Sequence, residues 1–229
     1  MTDSALRELA DDPSSRKRFF KMLGGAGAVS AATVFLAACG GDDDEAASDS
    51  PPPASAVDNN KSDLEILNYA LTLEFLEADF YAQVIDSGMV KDPKVVTIAK
   101  KFGSTEQEHV DALTATIKKL GGKPVAAPKS NFGPTFDKGL MATLEAAADV
   151  ENLGAAAYLG QAGSIKNKEV LAAALAIHTV EARHAAALNE LVGRGFGGGG
   201  GLKGSLPDGP FAKPMDMKAV LAAVKPFLA

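Results

Sequence analysis

Tryptophan is absent from this 229-residue chain, which has three tyrosines, three histidines and a single cysteine. Without a second cysteine no intramolecular disulfide can form. Aromatic residues make up only 6% of the sequence, too few for a typical sheet of aromatic and β-branched strands, and the abundant alanine suits closely packed helices. Positive charge is also scarce: the formal charge is −6, and residues 61–229 hold eighteen bases against nineteen acids. Such a surface offers no basic excess for nucleic-acid phosphates, so nucleic-acid binding is excluded from the expected functions. No nucleophilic triad, phosphate loop or dinucleotide fingerprint occurs. "GRGFGGGGG" is glycine-rich, but no strand precedes it and no suitable helix follows. What remains is a chain that is 46% hydrophobic and 23% charged, long enough for one ordinary globular domain with tails.

The N-terminal tail reads as an export signal. Arg16, Lys17, Arg18 and Lys21 precede "MLGGAGAVSAATVFLAA", a moderately apolar stretch that ends at Cys39. That is the layout of a secretory signal peptide. Gly24, Gly25 and Gly27 interrupt the stretch, which falls short of the roughly 18 strongly apolar residues of a spanning helix. "LAAC", from Leu36 to Cys39, resembles the bacterial lipoprotein box, whose cysteine carries lipid. "SRKRFFK" resembles the twin-arginine export motif, with Lys17 where the second arginine is expected. These resemblances imply a protein of the bacterial cell envelope, tied to the membrane through a lipidated Cys39. Residues 1–38 are then the signal peptide. Residues 39–60, with six acids, no base and a Pro/Ser-rich end, form a self-repelling tether.

Residues 61–193 carry the helical signal. Apolar residues at Leu67, Leu71, Ala78 and Ile85 line one face of a helix predicted from Asp63 to Gly88, with Ser62 or Asp63 as its cap. A second helix is expected from Pro93 to Leu120, with Lys118 and Lys119 suiting its C-terminus. The stretch from Gly121 to about Lys138 holds Pro124, Pro128 and Pro134. It is long enough to cross the length of a bundle. Helices from about Lys138 to Gly163 and from Asn167 to Gly193 are separated by a short connection and should be antiparallel neighbours. Residues 194–229 read as a Gly-rich spacer and a short amphipathic helix, which either caps the bundle or lies at a homo-oligomer contact.

Each helix places a carboxylate on its apolar face. The stripes run Leu67, Leu71, Glu74, Tyr81; Phe102, Glu106, His109, Leu113; Leu144, Ala148, Glu151, Tyr158; and Ile177, Glu181, His184, Leu188. A lone Glu or His at a stripe's border is usually a solvated flank residue. Here two helices carry Glu-x-x-His and two carry Glu followed by Tyr seven residues on, so the second half repeats the first. Folding the halves about a pseudo-twofold axis brings four carboxylates and two imidazoles to one level, a site for two divalent metal ions. Oxygen-rich ligands with one imidazole per metal suit iron or manganese, iron ahead of manganese. Glu77, Glu108 and Glu145 fall off the stripes. His178, one turn before Glu181, reads as a flank residue.

The motifs "LNYALTLEFLEADFY", "EQEHV", "AAYLG" and "VEARHAAALNEL" resemble the helices of the ferritin-like superfamily of dinuclear carboxylate proteins, and its exported branch in particular. The resemblance implies an all-α, antiparallel four-helix bundle with a long crossover between helices 2 and 3. It implies Glu106 and Glu181 bridging the metals, Glu74 and Glu151 each terminal to one, and His109 and His184 as nitrogen ligands. Tyr81 and Tyr158 would orient the terminal carboxylates from outside the ligand set. The implied chemistry is that of an oxidoreductase, with dioxygen, peroxide or ferrous iron as substrate. A non-catalytic metal-binding role, or a structural role in envelope stress of the desiccation type, is the alternative.

Overall fold

A computed structural model describes the backbone of residues 54–194 and 211–229, and side chains from residue 61 onward within those ranges. The signal peptide, with Arg16, Lys17, Arg18 and Cys39, and most of the tether and Gly-rich spacer lie outside the described residues. Four long helices dominate: α1 (Ala54–Ser87), α2 (Pro93–Lys119), α4 (Leu140–Ala162) and α5 (Lys168–Leu191). Between α2 and α4 lies a single turn, α3 (Gly133–Phe136), and α6 (Met217–Val224) with a 3-10 turn (Lys225–Phe227) ends the chain. Among the described residues the fold is all-helical, with one isolated bridge between Ser130 and Leu228.

The helix ends follow their local chemistry. Asp92 caps α2 by accepting the amides of Lys94 at 2.8 Å and Val95 at 3.3 Å, with Pro93 at the first helical position. Asn167 does the same for α5. One expectation is corrected here. α1 begins at Ala54, so neither Ser62 nor Asp63 caps it. Asp63 lies within α1, fully buried, and its carboxylate accepts the amides of Lys166 at 2.8 Å and Asn167 at 2.7 Å. It ties α1 to the α4–α5 turn instead of starting its own helix.

The crossover runs back along α1. Val125 donates its amide to Asn68 Oδ1 at 2.7 Å, and farther on the Ser130 hydroxyl donates to Asp79, which also accepts from Gln83. Phe132 is buried against Phe80, with ring centroids 5.0 Å apart and the planes nearly perpendicular. The terminal helix packs on the bundle: Val220 and Val224 are buried in the same cluster as Phe80 and Phe132. The chain ahead of it crosses α4 closely, the Met215 amide donating to the Ala156 carbonyl at 3.0 Å. A Cβ at Gly160 would lie 2.0 Å from the Met215 carbonyl oxygen, so only glycine permits that crossing.

This covering explains the burial of α1. Besides the stripe through Leu67, Leu71, Glu74 and Tyr81, a second one, Tyr69, Leu73, Leu76, Phe80 and Val84, is buried. Ala78 and Ile85, expected on the inner face, are half-buried at its border.

Asp63 supplies a stability test. Truncating it strands two amides at a helix start, and charged hydrogen bonds to a buried carboxylate contribute about 1.5 to 3 kcal/mol. Asp63→Ala is therefore expected to lower the free energy of unfolding by roughly that amount in urea titration, with Asp63→Asn intermediate.

Candidate metal centre

Spacing of three residues puts both members of each Glu-x-x-His pair on one face of a helix. α2 thus directs Glu106 and His109, and α5 directs Glu181 and His184, to the level where α1 brings Glu74 and α4 brings Glu151. All six are buried, the glutamates at no more than 1% exposure. Apolar clusters lie to either side, one around Leu71, Ile117 and Ile177, the other around Phe80, Ala148 and Leu188.

The side chains crowd. His109 Nδ1 lies 2.8 Å from Glu106 Oε2, 3.1 Å from Glu74 Oε2 and 3.2 Å from Glu181 Oε1. His184 Nδ1 lies 2.8 Å from Glu106 Oε1 and 3.3 Å from Glu151 Oε2. Ligand atoms form two groups, each within 4.8 Å: Glu74, Glu106, His109 and Glu181, and Glu106, Glu151, Glu181 and His184. Glu106 and Glu181 belong to both.

His109 Nδ1 has hydrogen-bond geometry toward Glu106 Oε2 and Glu74 Oε2, but the other close approaches do not. Glu106 Oε1, Glu151 Oε2, both oxygens of Glu181 and His184 Nδ1 are buried without a hydrogen-bond partner. Buried polar atoms seldom go unsatisfied, and this many at one level point at a shared absent partner. Atoms that converge on a common point while misaligned with one another suit coordination of a cation. The donor set, carboxylate oxygen with one imidazole in each group and no thiol, suits hard or borderline divalent ions. The residues fit metal binding.

Both tyrosines bond carboxylates, and they do so crosswise. The Tyr81 hydroxyl of α1 donates to Glu151 Oε1 on α4, and the Tyr158 hydroxyl of α4 donates to Glu74 Oε1 on α1 at 2.5 Å. Each half of the duplicated chain therefore orients a carboxylate of the other. His184 is further held by Phe102, whose ring stacks on the imidazole with centroids 3.7 Å apart. His178 stays outside the cluster and donates Nδ1 to the Ala155 carbonyl at 2.9 Å. Glu108 and Glu145 are exposed.

Glu77 departs from expectation. The sequence stripe leaves it out, yet it is only 3% exposed. Burial, and then the charges of Glu181, Glu74, Glu151 and Glu106, push its pKa well above the ordinary carboxylate range. The missed signal is the second stripe of α1: a residue between two buried stripes is itself buried.

Burial is the largest single influence on the other groups, though not always the prevailing one. It raises Glu181 well above the ordinary value, with the Glu74 charge adding to it. It raises Glu74 and Glu151 too, against the opposing pull of His109 and His184. For Glu106 burial also raises, but the two imidazoles beside it prevail and bring its pKa down to about 2. Burial depresses the histidines, and the carboxylates more than reverse it: His184 rises to about 9 and His109 is raised as well. Burial and the facing carboxylates keep the phenols of Tyr81 and Tyr158 protonated, hence donors.

The family model described as the ferritin-like domain matches residues 62–194. The chain belongs to the ferritin-like domain family. No curated protein matches it. The match spans the four long helices from the Asp63 contact to the end of α5, so all six clustered residues of this ferritin-like chain fall within it.

The pKa shifts set a pH dependence for the metal-free protein. His184, raised from 6.5 to about 9, contributes stability that is complete below 6.5 and lost as pH passes about 9. Glu77 and Glu181, raised above 4.5, bind protons more tightly when folded, so rising pH weakens the fold through them as well. Glu106, lowered to about 2, loses its contribution only as pH falls from 4.5 toward 2. With chelator present, the melting temperature should fall between about pH 6 and about pH 9. A melting temperature that rises over this interval would contradict the assignment.

Proposed function

We propose that this chain is an exported, lipid-anchored ferritin-like protein that holds two divalent metal ions, iron ahead of manganese, and acts on dioxygen, peroxide or ferrous iron as an oxidoreductase. The observation that carries this reading is the overlap of two ligand groups through Glu106 and Glu181. A carboxylate common to two groups is placed to bridge two ions. Glu74 with His109, and Glu151 with His184, then complete one position each. Four carboxylates against two divalent cations leave the centre near neutrality, which removes the main cost of burying them.

Two metal ions of variable valence would supply two electrons together to a small oxidant. The protein's part is to hold and shield. Tyr81 and Tyr158 restrict the swing of Glu151 and Glu74, and Phe102 restricts the His184 ring. The apolar residues above and below exclude water, which strengthens every charge interaction within.

The full chain, loaded anaerobically with ferrous iron, should contain close to two metals and consume dioxygen or peroxide on exposure. Changing Glu106 and Glu181 together to Gln should abolish both, with helical content retained in circular dichroism. Two metals bound without turnover would favour sequestration over catalysis. Content below one metal per chain in the unaltered protein would sink the metal reading.

Among the described residues no helix is long and apolar enough to cross a membrane. In this reading a lipid on Cys39 provides the attachment. On expression in a bacterial host, Cys39→Ala should move the protein from the membrane fraction to the soluble exported fraction. Persistent membrane attachment of this variant would count against the lipid anchor.

A further inference from the structure

The duplication that builds the centre breaks at one buried position. In the sequence 77 residues separate Glu74 from Glu151 and Tyr81 from Tyr158, and the same step carries Glu77 onto Gly154. These two positions meet in space. A Cβ at Gly154 would lie 2.8 Å from Glu77 Oε1 and 3.1 Å from Glu181 Oε2. The glycine leaves room for a side chain that its own half lacks, and the carboxylate of the other half occupies it.

Two carboxyl oxygens directed at one small space repel when both are ionised, so either a proton or a cation must lie between or beside them. Among the described residues no lysine, arginine or histidine forms an ion pair with Glu77. Glu181 Oε2 is buried and has no hydrogen-bond partner. Glu181 Oε1 is the oxygen turned toward His109. Glu77 approaches Oε2, at the space that Gly154 leaves open.

We propose that Glu77 is a fifth carboxylate ligand of the metal centre, entering beside Glu181 Oε2, so that the two metal positions are unequal. The inference rests on the metal-binding reading above. A pseudo-symmetric frame with equal ligand sets would load two ions alike. An added anionic oxygen on one side makes that side the tighter and the first to fill for a hard divalent cation.

Manganous ion titrated calorimetrically into the full chain tests this without any turnover. Unaltered protein should show two binding steps of different affinity. Glu77→Gln should weaken the tighter step by roughly tenfold to a hundredfold while the other stays within about twofold. The metal-free variant should melt at a higher temperature than metal-free wild type, because at neutral pH a buried carboxyl must either take up a proton or stay ionised at a cost that glutamine lacks, yet gain less from added manganese. A structural carboxylate would behave the opposite way, with a lower metal-free melting temperature and unchanged manganese affinity. Gly154→Ala, which displaces the Glu77 carboxyl and also presses on Glu181 Oε2, should weaken that step at least as much, and exposed Glu108→Gln should weaken neither. If wild type takes up two ions and Glu77→Gln matches it in both steps, the inference is overturned while the metal reading stands. If wild type takes up no metal, both fall.

Discussion

Mutual repulsion among buried carboxylates is the constraint on which the rest of this structure depends. Glu74, Glu77, Glu106, Glu151 and Glu181 share one level of a helical bundle, all nearly inaccessible to water. In so dry a setting each charge disfavours the others, which is why burial and neighbouring carboxylates together raise most of their pKa values. Two histidines and two tyrosines relieve part of this. They cannot relieve it all, since oxygens of three glutamates remain without partners.

The fold around this layer serves rigidity more than shape. Caps at Asp92 and Asn167 set where α2 and α5 begin, and so the height at which each Glu-x-x-His pair arrives. Asp63 locks α1 to the α4–α5 turn, fixing Glu74 relative to the other half. The crossover is fastened along α1 at Asn68 and Asp79, and the terminal helix lies on the aromatic cluster formed there. α1 is thereby covered on two sides. A helix held this firmly keeps Glu74 and Glu77 in the polar layer despite their repulsion.

Most of the bundle was legible because four helices of alternating three- and four-residue periodicity leave few other ways to bury their stripes. The six clustered residues were legible for a related reason: a polar residue inside an apolar stripe is conspicuous, and a second copy of the pattern removes the ambiguity of the first. Asp63 was misread because a Ser-Asp pair ahead of an apolar run looks like a cap whether or not the helix starts earlier. Glu77 was passed over because a single stripe assigns one buried face, and α1 has more than one.

Acting alone, the sequence determined the periodicities and the duplicated Glu/His/Tyr set on the apolar faces, since these depend on spacing along a helix of known pitch. Tertiary structure alone decided that Tyr81 serves Glu151 and Tyr158 serves Glu74, that Asp63 serves a helix a hundred residues away, and that Gly154 makes room for Glu77. Each of these is a contact between elements distant in the chain. Spacing within one helix tells which face a side chain takes, and only the packing of one helix on another tells what it meets there.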